Sequence, residues 1–196
     1  KVARVENYRG FVFASYSKEG QSLSDFLGPS KKFIDIMIDA SPTGEIEVKP
    51  GVVSKTMYRG NWKQIGMDGY HPHYVHVSVF KIFSKRESTT GSAVGAIHLE
   101  DPFSDSSPSL TRGFPNGHAA LDFRFQRLPH AKDYMAELQK TEDGRKYVKD
   151  MIERYGKEHA EELIAWHGDP HLGVFPNLQL IHDHIRVVIP VSVSET

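Results

Sequence analysis

No cysteine occurs among the 196 residues, which excludes disulfides, thiolate zinc sites, iron–sulfur ligation and a cysteine nucleophile. Any metal must be held by nitrogen and oxygen. An excess of charge of either sign is also lacking: 24 Lys and Arg face 25 Asp and Glu, a formal net charge of -1. A phosphate backbone or an anionic membrane finds no electrostatic grip on such a chain, so neither nucleic acid nor membrane is an expected partner. There is no apolar run long enough to span a bilayer and no basic start leading into an apolar h-region. A soluble, cytoplasmic protein is therefore expected. The first residue is Lys1 rather than Met, so a piece of a longer chain is expected.

The sequence has 39% hydrophobic residues, enough for one compact domain that buries roughly 70% of its unfolded surface. The opening NYRGFVFASY, residues 7 to 16, is aromatic and β-branched around Gly10, as a buried strand near a tight turn would be. Ser22 to Leu27 suits a short helix, and Pro29 can open a second in which Phe33, Ile36, Met37 and Ile38 repeat at helical spacing, stopped by Pro42 and Gly44. EIEVK and VVSKTMYRG, joined at Pro50-Gly51, predict a β-hairpin, after which Asn61 can cap a helix. Residues 77 to 118 hold one apolar segment, VSVFKIF, and then runs rich in Ser, Gly, Pro and charge that read as loop. A strand is expected at HAALDFRFQRL. Tyr147, Val148, Met151, Ile152 and Tyr155, then Leu163, Ile164 and His167, fall in one helical register, a long arm ended by Gly168 and Pro170. The tail LGVFPNLQLIHDHIRVVIPVSVSET reads as two strands. Strands, then helices, then strands suggest an α+β domain with a mainly antiparallel sheet.

The chemistry concentrates in DGYHPHYVH, Asp68 to His76. Neutral imidazoles suit Fe, Zn, Ni or Cu, and two of them with a carboxylate on one side of an octahedron leave positions open for dioxygen. His71 and His76 are five apart, which on a regular helix separates them by roughly 140°. Pro72 can break the helix between them, placing His71 at a junction and His76 in the second piece, so that both rings converge. The spacing alone leaves open a second reading, a helix end with ordinary hydrogen-bonded histidines. His98, His118, His130, His159, His167 and His171 are scattered and read as structural. KEHAEEL, residues 157 to 163, lacks the second histidine of a metalloprotease helix and reads as a solvated face. No nucleophile-elbow pattern supports a serine hydrolase.

DGYHPHYVH resembles the Asp-x-x-His-x4-His motif in the catalytic domain of the large (alpha) subunit of Rieske-type aromatic-ring-hydroxylating oxygenases. NYRGFVFAS resembles the segment that leaves the Rieske domain in that family, NWK precedes its iron helix, and FPNLQLIHDHIRVVIPVSVSET resembles its later strands. The resemblance covers most of the chain. It implies a helix-grip (START/Bet v 1-like) α+β fold, an antiparallel sheet wrapped around a long helix, as a single catalytic domain over residues 1–196 that is incomplete at its C-terminus and has no Rieske domain.

The resemblance further implies mononuclear Fe(II) held by His71 and His76, with a third ligand, an aspartate, beyond Thr196. Asp68 matches the aspartate that links iron to the Rieske 2Fe-2S cluster of a neighbouring subunit. Where the family often has Asn near iron, this chain has Gln64; with Ile65 and Gly69 it would line a pocket facing the last strands. The complete enzyme would hydroxylate an aromatic substrate with dioxygen, using electrons from NAD(P)H through ferredoxin or reductase, in a homotrimer or an alpha3beta3 hexamer. Asp183 is a second acid to weigh: alternation along IHDHIRV would put it on one face with Ile181, Ile185 and Val187. The rival readings are a helix-grip module that binds a small apolar molecule without a working metal site, and a zinc hydrolase using the same histidines.

Overall fold

A computed structural model describes residues 1–49, 51–63, 110–122, 124–166, 170–181, 184–192 and 195. The chain opens with a hairpin of β1 (Arg4–Tyr8) and β2 (Phe11–Ser15), paired from Arg4↔Ser15 to Tyr8↔Phe11. Arg9 and Gly10 both take positive φ, +51° and +91°, the backbone that a two-residue turn needs to match strand twist. Asn7 Oδ1 accepts from Gly10 N at 3.1 Å and holds the turn. The strands are half-buried in alternation rather than wholly buried. Tyr8, Phe11 and Phe13 face the core while Val5 and Val12 face outward.

Ser22 caps α1 (Leu23–Leu27), its hydroxyl accepting from Asp25 N at 3.1 Å, which satisfies one orphan donor of the first turn. Leu23 and Leu27, four apart, fall on one face and are buried. A single 3-10 turn containing Pro29 leads into α2 (Lys31–Asp39), whose Phe33, Ile34, Ile36, Met37 and Ile38 are buried. Both helices form where the local signals place them.

The expected hairpin of EIEVK and VVSKTMYRG does not form: residues 45–49 and 52–59 have no strand assignment. Ile46, Val48, Val52, Val53 and Met57 are exposed, so β propensity there meets no buried surface to pack on. The side-chain oxygen of Asn61 accepts from Lys63 N at 3.0 Å; the helix expected to follow lies outside the described residues.

Among the described residues, five strands form the main sheet in the order β3 (Leu110–Gly113), β4 (Ala119–Asp122), β5 (His171–Val174), β6 (Leu178–Ile181) and β7 (His184–Val187), every neighbouring pair antiparallel. HAALDFRFQRL is strand only to Asp122. There Asp122 Oδ1 accepts from Arg124 N at 3.1 Å, a local bond that turns the chain into α3 (Arg124–Arg127). The tail holds three strands, not two. β6 and β7 pair with Ile181 opposite His184 and Leu180 opposite Ile185. Ile181 therefore lies on one face and Ile185 and Val187 on the other, which removes the single-strand alternation used to place Asp183, itself outside the described residues.

The helical arm is also divided. α4 (Ala131–Leu138) precedes α5 (Glu142–Tyr155), capped by Thr141 through Gly144 N at 3.0 Å. Gly156 at φ +77° then breaks the register before α6 (Lys157–Trp166), a backbone state glycine adopts without steric cost. The three helices pack through Met135, Val148, Met151, Ala160, Leu163 and Ile164. The α+β class is as expected, with helices against an antiparallel sheet.

Candidate functional site

Gln64, Ile65, Asp68, Gly69, His71 and His76 all lie outside the described residues. Among the described residues no group of three or more His, Cys, Asp or Glu is placed to hold a metal. A metal centre in this chain would therefore need residues outside that set.

Cross-strand partners share a face, so the register sorts the sheet into two. One face carries Ala120, Leu172, Val174, Leu178 and Leu180, all buried against α1, α2 and Trp166. Phe33 stands edge-on to Trp166 at 5.7 Å between ring centroids. The other face is buried over β4, β5 and β6 yet joins neither apolar cluster of the described residues. Its first row runs Gly113, Ala119, Gly173, Gln179, Arg186 and its second Thr111, Leu121, His171, Ile181, His184. Two polar side chains, His171 and Gln179, are thus buried beside the smallest residues of the sheet. The sequence reads His171 as one of the scattered structural histidines and passes Gln179 over. The available signal was a polar residue in each of two short apolar runs, HLGV and LQLI.

Gln179 is fully buried, and its Nε2 has no hydrogen-bond partner. Its Oε1 accepts from Arg186 Nη1 at 3.5 Å. A buried donor without an acceptor costs about 1–3 kcal/mol. Trp166 Nε1 is likewise unpartnered, but it sits in the apolar cluster with the Arg124 guanidinium 5.5 Å over its ring.

Two polar knots brace the sheet. Asp122, fully buried, accepts from Arg112 Nε at 2.5 Å and from Arg124 at 2.9 and 2.6 Å. Burial alone would push its carboxyl up, but the guanidinium hydrogen bonds of Arg124 and Arg112 outweigh it and hold it below the ordinary carboxylate range. His118 is buried between the end of α1 and the β5–β6 turn. Its Nδ1 accepts from Phe175 N at 3.0 Å and its Nε2 lies 2.8 Å from Phe26 O. A carbonyl only accepts, so the ring is the Nε2–H tautomer. Burial pushes its pKa down, against a smaller upward effect of the Phe26 carbonyl. His118 is thus structural, as its scatter in the sequence suggested, and His159 sits half-exposed beside Glu162 at 3.4 Å on the solvated side of α6.

A surface cleft lies where Arg9 meets α2 and α6. Its charges answer one another: Arg9 pairs with Asp39 at 2.5 Å and Asp35 at 3.5 Å, Tyr8 donates to Asp35 at 2.9 Å, and Lys32 meets Glu162 at 3.7 Å. Burial and the Asp35 carboxylate push the Tyr8 phenol far up. Such internally paired groups make a brace between the hairpin and α2.

The fold and the motif define a class, and comparison with known proteins agrees. No family model matches the chain. It is 32% identical to the anthranilate 1,2-dioxygenase large subunit of Acinetobacter baylyi and 32% to the 2-halobenzoate 1,2-dioxygenase large subunit of Burkholderia cepacia, each alignment spanning 100% of this chain and 41% or 40% of the relative. Toluate 1,2-dioxygenase subunit alpha of Pseudomonas putida is 31% identical over the same span of this chain. A naphthalene 1,2-dioxygenase structure with indole bound superposes with a TM-score of 0.57 at 22% identity, covering 99% of this chain and 42% of that one. That likeness establishes the fold. The chain belongs with the large (alpha) subunits of aromatic-ring-hydroxylating dioxygenases, matching their catalytic domain. It spans about two fifths of the length of these curated relatives.

Proposed function

We propose that residues 1–196 are one catalytic-domain portion of an oxygenase alpha subunit that hydroxylates an aromatic ring. The observation that carries this is the alignment of the whole chain with relatives named as ring dioxygenases, together with Asp68, His71 and His76 standing at the family's motif. The donor set fits ferrous iron, since a cysteine-free chain offers imidazole and carboxylate. His71 and His76 would hold Fe(II), which supplies dioxygen activation when bound. Asp68 would accept a hydrogen bond from a ligating imidazole and fix its tautomer and orientation. Gln64, Ile65 and Gly69 would form one wall of the substrate pocket, opposite the polar-bearing face of β4–β6.

Electrons would come from NAD(P)H by way of ferredoxin or reductase and a Rieske 2Fe-2S cluster elsewhere in the complete subunit, which would work in the cytoplasm as a homotrimer or an alpha3beta3 hexamer. The full-span relatives are named for anthranilate, 2-halobenzoate and toluate, each a benzene ring bearing a carboxylate, and we place the substrate in that class. Metal analysis of the complete subunit tests the reading. Stoichiometric iron that disappears in His71→Ala and His76→Ala, with benzoate-dependent oxygen uptake in the parent, is the expected result. Stoichiometric zinc would turn the assignment to a hydrolase, and no metal at all to a small-molecule binding module.

A further inference from the structure

At one end of the main sheet the β3–β4 turn, the β5–β6 turn and the end of α1 are tied together. His118 Nδ1 accepts from Phe175 N at 3.0 Å, and its Nε2–H donates to Phe26 O at 2.8 Å. Asn116 Nδ2 donates to the same carbonyl at 2.8 Å. The Phe175 ring is placed as well as its backbone: a Cβ added at Gly117, φ +81°, would come to 3.4 Å from it, so the glycine lets the ring lie on the turn. Phe175 is nevertheless 41% exposed, so this ring adds little to the core. It meets Trp62, with ring centroids 6.1 Å apart. Asn61 Oδ1, accepting from Lys63 N at 3.0 Å, orders the backbone around Trp62. Residues 52–59 just before it carry no helix or strand, so the ring pair stands where a regular element would otherwise set the direction of the chain. Trp62 precedes Asp68 by six positions and His71 by nine.

We propose that Trp62 and Phe175 are positioning residues for the candidate metal ligands: their ring contact fixes the point at the end of the sheet from which the chain departs toward Asp68, His71 and His76. A site that is competent only part of the time binds its metal more weakly by that fraction, and an aromatic pair shifts such a balance by roughly two- to tenfold. The contact thus raises metal affinity without touching metal. This rests on the oxygenase reading above and names residues remote from the motif on which that site depends.

The test uses the complete alpha subunit freed of its mononuclear metal and titrated with cobalt(II) alone, which takes the same nitrogen and oxygen donors as ferrous iron. Calorimetry gives the dissociation constant, and His71→Ala assigns the heat to the motif. Trp62→Leu and Phe175→Leu keep apolar bulk and lose the ring pair. Each is expected to weaken cobalt binding about fivefold, and the double variant no further, with the urea midpoint unchanged. Phe175→Tyr, which restores a ring, should bind within about twofold of the parent. Cobalt affinity within about twofold of the parent in the leucine variants would overturn the assignment. So would losses that add in the double variant, that Phe175→Tyr shares, or that come with a lowered urea midpoint, since these mark a merely structural role. If the parent binds cobalt through His71 and the leucine variants match it, this inference alone fails. If the parent binds none at the motif, the functional reading fails and this inference with it.

Discussion

The two faces of the five-stranded sheet are both buried over β4, β5 and β6, but they follow different rules. Leu172, Leu178 and Leu180 fill one face against Phe33 and Trp166, where the packing is aliphatic and aromatic and the one unpartnered polar atom, Trp166 Nε1, lies at the edge of a large ring under the Arg124 guanidinium. Across the same strands, one residue out of step, stand Gly173, Gln179 and His171. The first face is made for stability, since each fully buried leucine contributes about 1.5–3 kcal/mol. The second gives up side-chain volume and leaves a buried donor unmet, which stabilises nothing in the chain itself. Sites that bind are where such local costs gather.

Substitution at neighbouring residues of β6 breaks or sharpens that contrast. Leu180→Ala should cost about 3 kcal/mol by urea unfolding, through lost burial and the cavity left against α2. Gln179→Leu, one position away and equally buried, should be neutral or stabilising by up to about 1 kcal/mol, because it removes an unsatisfied donor. Equal losses at the two positions would mean that the faces do not differ.

Asp122→Asn should cost about 2–3 kcal/mol, since two guanidinium groups would lose a buried carboxylate that is their partner, discounted because both arginines are partly exposed. The carboxyl is held below its ordinary range, so its contribution is present above an unfolded pKa of about 3.9 and is lost as pH falls through the lower folded value. Acid unfolding followed by circular dichroism should show a shallower dependence below pH 4 in the variant.

His118 works in a higher window. Its folded pKa is lowered, so its stabilisation is complete above an unfolded pKa of about 6.5 and declines as pH falls from there through the folded value. Protonating Nδ1 would break its bond from Phe175 N. His118→Gln should flatten the slope of urea midpoint against pH between about 7 and 5. At Gly156, Ala would be forced to φ +77° and ψ 157°, at a cost of about 1–3 kcal/mol and with no change at the sheet.

Much of the helical half was legible in the sequence. Ser22 caps α1 and apolar spacing marks the buried face of α2, because each signal spans only a few residues. Gly156 could have been read as the break between α5 and α6, but the apolar register of Tyr147 to Leu163 runs through it and hid the stop. The hairpin predicted around Pro50-Gly51 failed for the opposite reason: alternation was present, yet nothing covers Val48, Val52 and Val53. Of the site, the sequence displayed the motif from Asp68 to His76, which lies outside the described residues, and marked Gln179 only as a polar residue within the apolar run LQLI.

Composition and local pattern by themselves determined that any metal must rest on nitrogen and oxygen, where the early helices begin and stop, and which histidine pair is the candidate ligand set. Those follow from side-chain chemistry and from hydrogen bonds made within a turn of the chain. Only the tertiary structure decided that Ile181 and Ile185 part to opposite faces, and that Gln179 shares a row with two glycines and an alanine. Strand register joins residues far apart in sequence, and a slip of one position exchanges the faces of a strand.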